Sequence, residues 1–282
     1  MDWLLEPFEF AFQQRALLAG SLAAVAAAIV GTWVVLRGMS FFGDALVHGV
    51  IPGIALAFLL DIPPLIGAAI AAVVMVAGIG LVHRLASFSE DTGIGLLFVG
   101  MLALGVILVS RLESFAGSLT AILFGDALGV TGSDLTSLAI VAGVVVVVSI
   151  VFYRPFLVLA FNEEKASMLG LRPTLAHFVL LALITLAIVG SFRTVGTLLV
   201  FGLLIGPAAT AALISRRVPT TMALASAIGV ASVAVGLFVS YHLGTAASAT
   251  VAIIPVIAFF VVLVTRRVVL RPSTPGHGST PT

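Results

Sequence analysis

An aspartate and a histidine stand four residues apart in an otherwise apolar stretch of the chain. Asp44 and His48 belong to residues 43–53, which read Gly-Asp-Ala-Leu-Val-His-Gly-Val-Ile-Pro-Gly. Side chains at positions i and i+4 of a helix lie on one face, and ionisable groups in a bilayer usually face a cavity or a partner. The pair is therefore a candidate metal or proton site. The alternative is local, with Asp44 capping the start of a helix and the pair satisfied there.

One carboxylate and one imidazole are too few ligands to hold a divalent ion. A two-fold dimer would double the set to two aspartates and two histidines. Four nitrogen and oxygen ligands suit Zn²⁺, and with added water molecules they also suit Mn²⁺. The chain has no cysteine, so no thiolate is available for a soft ion such as Cu(I).

The composition places this pair in a membrane. Of the 282 residues, 61% are hydrophobic and only 9% are charged, whereas soluble domains are about 25% charged. The apolar runs are near the roughly 20 residues that a membrane-spanning helix needs, and they lack the alternation of a membrane barrel. We expect an all-α polytopic membrane protein with eight or nine transmembrane helices.

The chain divides into three predicted regions. Residues 1–14 form an interfacial N-terminal segment, residues 15–267 form the transmembrane domain, and residues 268–282 form a disordered tail. Nine spans of about 20 residues leave about 100 residues outside the lipid, too few for a folded ATPase domain. The predicted spans are 15–36, 44–60, 64–82, 93–110, 135–153, 174–192, 194–215, 220–242 and 247–265.

The basic residues predict the orientation, because cytoplasmic loops carry an excess of lysine and arginine. If the first span runs from outside to inside, ten basic residues lie inside and three lie outside. The C-terminus is then cytoplasmic, as expected for a multi-pass protein of the bacterial plasma membrane. The inner set is Arg37, Arg84, Arg154, Lys165, Arg172, Arg216, Arg217, Arg266, Arg267 and Arg271, and the outer set is Arg15, Arg111 and Arg193.

A short amphipathic helix is predicted on the cytoplasmic side, within residues 161–172. Asn162 is a good N-cap residue, and acidic residues favour the first turn. Glycine favours the end of a helix. The residues concerned are the acidic Glu163 and Glu164, the apolar Met168 and Leu169, and the terminal Gly170.

Other notable residues have ordinary structural interpretations. Two pairs of glycines spaced four apart, Gly49 with Gly53 and Gly202 with Gly206, predict close helix packing. His242 follows Tyr241 at the outer end of a span, where it would be an entry-site ligand or part of an aromatic belt.

The sequence excludes several functional classes. The single lysine, Lys165, is not preceded by a Gly-x-x-x-x-Gly loop, and no histidine is followed by glutamate, so the phosphate-binding loop and the metalloprotease motif are missing. We therefore do not expect an enzyme. The net charge of +1 supplies no basic patch for nucleic acid. Transporter, channel and structural subunit remain.

Several motifs together resemble the membrane subunit of zinc- and manganese-type ABC importers. Residues 34–48 read Val-Val-Leu-Arg-Gly-Met-Ser-Phe-Phe-Gly-Asp-Ala-Leu-Val-His, and residues 206–211 read Gly-Pro-Ala-Ala-Thr-Ala. Residues 90–95, 123–126, 169–171 and 195–200 continue the similarity, which covers about residues 10–265. The Gly-Asp-x-x-x-His and Pro-Ala-Ala-Thr-Ala segments are specific in combination.

This resemblance implies a homodimeric permease with no permanently bound cofactor. It would work with cytoplasmic ATPase subunits and an extracytoplasmic metal-binding protein, and it would carry Zn²⁺ or Mn²⁺. Asp44 and His48 correspond to the family's metal ligands, and about Asn162–Leu171 corresponds to its coupling helix. The alternatives are a proton-coupled secondary transporter, with Asp44 and His48 as a proton relay, and an ABC permease for a metal chelate.

Overall fold

The computed structural model describes residues 6–85, 90–111, 129–161, 168 and 171–269, and regular structure in these ranges is entirely helical. Eight helices there are long and apolar enough to cross a membrane, which confirms the all-α polytopic class. A 3-10 turn at Glu6–Glu9 precedes the helices, which are α1 (Ala11–Leu36), α2 (Ser40–Gly49), α3 (Ile51–Leu59), α4 (Pro64–Leu85), α5 (Glu90–Val109), α6 (Gly132–Val151), α7 (Tyr153–Phe161), α8 (Pro173–Val195), α9 (Thr197–Ile214), α10 (Val218–Leu243) and α11 (Ala247–Val269).

All nine predicted spans coincide with helices. Eight match the long apolar helices, with α2 and α3 together forming the second span. The ninth, predicted over 194–215, is α9, and its apolar stretch Leu199–Ile214 is shorter than the others. Gly196, with φ at +82°, separates α8 from α9, a backbone conformation that glycine adopts without steric cost. Of the predicted tail 268–282, residues 268 and 269 belong to α11, and residues 270–282 lie outside the described residues.

Helix α1 lies at the centre of the bundle. It packs against α6, α8, α9 and α10, and 67% of its apolar window is buried, against 17% for α5. Its sequence from residue 19 to residue 28 is rich in alanine. In lipid there is no hydrophobic driving force between helices, so they associate through van der Waals packing, and small residues allow the close approach that this packing needs. At Gly31 the approach is so close that a Cβ would overlap the carbonyl oxygen of Leu204 in α9.

Both predicted glycine pairs are confirmed as packing positions. A Cβ on Gly53 of α3 would overlap the carbonyl oxygen of Gly67 in α4, and a Cβ on Gly67 would overlap that of Gly53. Gly49 of α2 leaves room for the side chain of Met75, which also belongs to α4. In the second pair, Gly202 and Gly206 lie against Ala252 and Pro255 of α11.

Three element boundaries correct the sequence predictions. The α1–α2 turn is confined to three residues around Gly38, whose φ is +70°, so α2 begins at Ser40 rather than at residue 44. The second span is divided at Val50, because Pro52 has no N–H to continue the helical bonding. The segment after residue 153, predicted as a connection, begins with a separate helix, α7.

Helix α6 begins at a capping box that the span prediction missed by three residues. The Thr131 hydroxyl oxygen accepts from the Asp134 N–H at 3.3 Å, and the Asp134 carboxylate accepts from the Thr131 N–H at 3.0 Å. The pattern Thr-x-x-Asp before an apolar run is the sequence signal for such a box. Asp134 is therefore a structural residue of this helix start.

The glycine contact between α3 and α4 gives a stability prediction. We expect Gly53→Ala to destabilise the protein by about 1–3 kcal/mol, the usual cost of overpacking, because the new Cβ would meet the Gly67 backbone. A lowered midpoint of thermal unfolding in detergent would show this. Gly143→Ala is the matched control, since its Cβ would enter open space on α6. An unchanged midpoint for Gly53→Ala would contradict the prediction.

Candidate metal site

Helix α2 has two chemically different faces. One face packs into the bundle and buries Phe42, Gly43, Ala45, Leu46, Val47 and Gly49. The opposite face carries Asp44 and His48, whose side chains keep 29% and 32% of their surface exposed. The packed face holds the helix in place, so the two polar side chains are presented away from the core of their own chain.

The structure brings the predicted pair together. His48 Nδ1 lies 3.3 Å from Asp44 Oδ1 and 3.0 Å from the Asp44 main-chain oxygen. A carbonyl oxygen only accepts hydrogen bonds, so Nδ1 carries the proton in this arrangement. In the neutral imidazole the lone pair is then on Nε2, which is the form that binds a metal ion.

An aromatic side chain of α5 orients the imidazole. The rings of Phe98 and His48 meet edge to face, with centroids 5.8 Å apart at 88°. Phe98 makes a similar contact with Phe41, at 5.4 Å and 76°. The contact with Phe98 and the hydrogen bond to the Asp44 main-chain oxygen together fix the orientation of the His48 ring.

The geometry bears on the capping interpretation of Asp44. Met39 is the N-cap of α2 and makes no side-chain capping bond, and Asp44 lies one turn further along the helix. The capping interpretation is therefore wrong. Within the described part of the chain, no three His, Asp or Glu side chains come together as ligands. The described part of the chain therefore brings two candidate ligands, Asp44 and His48, together at this place.

Of the predicted coupling helix, Asn162–Leu171, the structure describes two residues, Met168 and Leu171, and Leu171 is not helical. Met168 is helical and 86% exposed. Glu163, Glu164, Leu169 and Gly170 lie outside the described residues. The segment follows α7, whose last residue Phe161 is 72% exposed, and it precedes α8.

A second polar pair, which sequence reasoning missed, ties α8 to the α1–α2 corner. The Arg37 Nη1 group lies 2.8 Å from His177 Nδ1, and His177 is buried, with 8% exposure. A guanidinium only donates, so Nδ1 of this histidine is the acceptor. The two residues are 140 positions apart, and no spacing pattern connects them.

His242 packs among aromatic side chains near the end of α10. Its Nδ1 atom lies 3.0 Å from the Phe238 main-chain oxygen, and its ring centroid lies 4.4 Å from that of Phe238 and 5.3 Å from that of Tyr241. These contacts favour the aromatic-belt interpretation over that of an entry-site ligand.

The fold and the site define a multi-pass membrane protein that presents a two-residue ligand pair. Comparison with known proteins supplies the family. A model of the ABC 3 transport family matches residues 9–266, so the chain belongs to that family. The resemblance inferred from the motifs is confirmed.

Individual relatives cover most of this chain. The manganese transport system membrane protein of Listeria monocytogenes is 36% identical over 253 residues, which is 90% of either chain. The chelated iron transport system membrane protein of Yersinia pestis is 35% identical over 259 residues, covering 92% of this chain and 87% of that one. The solved structure of PsaBC from Streptococcus pneumoniae in complex with Fab matches with a TM-score of 0.81 and 31% identity, covering 93% of this chain and 94% of that one.

The Arg37–His177 contact gives a prediction about the helix corner. His177→Leu removes the acceptor, and we expect a loss of about 1.5–3 kcal/mol, the range for a hydrogen bond to a charged group. His177→Gln keeps an acceptor oxygen and should retain much of that stability. Thermal unfolding of both variants in detergent measures the difference. Equal midpoints for the leucine and glutamine variants would show that the hydrogen bond does not matter.

Proposed function

We propose that two copies of this chain form the membrane pathway of an ATP-driven importer for a divalent transition-metal ion. Asp44 and His48 of each copy bind the ion in transit. The observation that carries the proposal is the exposure of this pair on the face of α2 opposite the core. That face is available to a second copy, which would complete a set of two aspartates and two histidines.

The chemistry of the ligand set favours Mn²⁺ or Zn²⁺. Carboxylate and water ligands suit Mn²⁺, and imidazole suits Zn²⁺ and iron. The names of the relatives, which refer to manganese and to chelated iron, favour Mn²⁺ over Zn²⁺. A site shared between two subunits also explains release, because separating the two α2 helices would leave each chain with two ligands.

Family membership supports an ATP-driven importer over a proton-coupled transporter. The ATPase would be a separate cytoplasmic subunit, and an extracytoplasmic metal-binding protein would deliver the ion. Ten basic residues on one side against three on the other support a cytoplasmic location for residues 161–172 and for the C-terminus. The exposed Met168 supports docking of the ATPase at this segment.

The ligand pair is tested by removing one charge or one nitrogen ligand. We expect Asp44→Asn and His48→Ala each to reduce radiometal uptake by at least the roughly 10- to 100-fold that loss of an outer-shell partner costs at a metal site. Asp44→Asn keeps the size and shape of the side chain, so its effect reports on charge. Uptake of ⁵⁴Mn²⁺ and ⁶⁵Zn²⁺ by cells with matched expression is the measurement.

Asp61→Asn is the matched control for this experiment. Asp61 is an exposed carboxylate between α3 and α4 with φ at +55°, and asparagine tolerates that conformation. The control should transport at the wild-type rate. Normal uptake by both Asp44→Asn and His48→Ala would remove the pair from the pathway.

The coupling segment gives a separate prediction. Met168→Asp places a charge where an apolar side chain should enter a groove of the ATPase, and we expect ATP hydrolysis without metal uptake. Met168→Leu keeps the apolar volume and should keep transport coupled. Both rates are measured in proteoliposomes that contain the ATPase and the metal-binding protein. Full transport by Met168→Asp with normal copurification of the ATPase would refute the coupling role.

A further inference from the structure

A groove of about 460 Å³ opens on the surface of the helix bundle between α1, α6, α7 and α10. Apolar side chains, among them Val146, Ile150 and Met222, line most of it. The volume is in the usual range of small-molecule sites, about 300–1,000 Å³. One end of the groove is marked by Tyr153 and Pro219, which lie at the starts of α7 and α10, where the chain leaves the bilayer.

A buried hydroxyl in this groove lacks an acceptor. Ser149 is 4% exposed, it lines the groove, and its Oγ has no hydrogen-bond partner within the described part of the chain. Ser226, which also lines the groove, donates to the Met222 main-chain oxygen at 2.9 Å and is satisfied. An unpaired buried hydroxyl is costly, so an acceptor supplied by a bound molecule would be stabilising at Ser149.

Three exposed arginines are close in sequence to residues that line the groove at the starts of α7 and α10. Arg154 follows the lining residue Tyr153, and Arg216 and Arg217 precede the lining residue Pro219. Residues 145–161 and 210–230 contain no aspartate or glutamate, so these segments do not neutralise the arginines. The groove therefore combines an apolar lining with a hydroxyl donor, and the segments that contribute Tyr153 and Pro219 also carry positive charge.

We propose that this groove binds one anionic glycerophospholipid. An acyl chain lies in the trough, an ester carbonyl accepts a hydrogen bond from Ser149, and the phosphate lies between Arg154 and Arg217. Ser149 and Tyr153 both line the groove, and Arg154 directly follows Tyr153, so the hydroxyl and the charge would meet neighbouring parts of one lipid. Basic pockets between transmembrane helices bind anionic headgroups on the same principle.

A second groove provides the contrast. It has a similar volume, about 430 Å³, and lies between α4 and α8. Its hydroxyl, that of Thr185, already donates to the Leu181 main-chain oxygen at 2.8 Å. Its lining residue Phe178 adjoins His177, where the Arg37 guanidinium already bonds to the imidazole. This groove offers lipid tails an apolar surface without a free donor, and it should not distinguish one headgroup from another.

Lipid binding to the full chain tests the proposal. The protein is purified in detergent, stripped of lipid and titrated with phosphatidylglycerol or with phosphatidylcholine of the same acyl chains, and bound lipid is counted by native mass spectrometry. Each arginine near a headgroup contributes about a fivefold gain in affinity, so two give a preference of about 30-fold for phosphatidylglycerol. Arg154→Gln with Arg217→Gln should abolish that preference. Glycerol 3-phosphate, which lacks acyl chains, should not compete.

Two matched substitutions locate the site. Ala223 and Ala182 are exposed residues that line the first and the second groove, so phenylalanine at either position adds volume without disturbing the core. Ala223→Phe should prevent binding of the preferred lipid, and Ala182→Phe should leave it intact. Equal affinities for the two lipids, a preference that survives the double glutamine variant, or equal effects of the two phenylalanines would each overturn the proposal.

Discussion

The close approach of helix backbones at small residues is the constraint on which the structure depends. In a bilayer, apolar side chains gain little by leaving lipid for protein, so helices associate through van der Waals packing and polar contacts. The contacts of Gly31 with the Leu204 backbone and of Gly53 with Gly67 are of this kind. Larger residues at these points would separate α1 from α9 and α3 from α4, and the helices around them would lose their register.

This packing places the ligand pair. Helix α2 is held on its buried face by neighbours that include α5 and α9, and Gly43 leaves room for the Leu204 side chain. The ligands occupy the remaining face, where they add nothing to the core. The proposed metal site would be incomplete in one chain, and its completeness would depend on the position of a second chain. That dependence is useful to a transporter, because the site has to release what it binds.

Much of the fold could be predicted from the sequence because lipid permits so few backbone structures. Apolar runs of sufficient length had to be helices, and all nine coincide with helices. The errors lie where a local interaction sets the boundary. The turn at Gly38 is shorter than the interval 37–43 between the two predicted spans, Pro52 divides a continuous apolar run, and the Thr131–Asp134 box starts α6 early. The capping box had a readable pattern, whereas the extent of the turn depends on packing.

The candidate site was predictable in part for a similar reason. Asp44 and His48 are close in sequence, and a helix brings residues four apart together without help from the rest of the fold. Arg37 and His177 meet only because α1 and α8 pack together, and the rim of the groove at Ser149 joins residues from two segments more than 60 positions apart in the same way. Such sites need tertiary structure, and no spacing rule finds them.

The placement of Asp44 and His48 outside the core has an evolutionary consequence. Residues that support a fold change slowly, since each replacement disturbs several neighbours. Apart from the contact of His48 with Phe98, these two side chains lie outside the buried core, so a lineage can alter them with little repacking of the bundle. Selection for a new cargo ion and selection for a stable membrane scaffold therefore act on separate residues of α2. A single ancestral scaffold can in this way give rise to descendants that differ in the ion they carry.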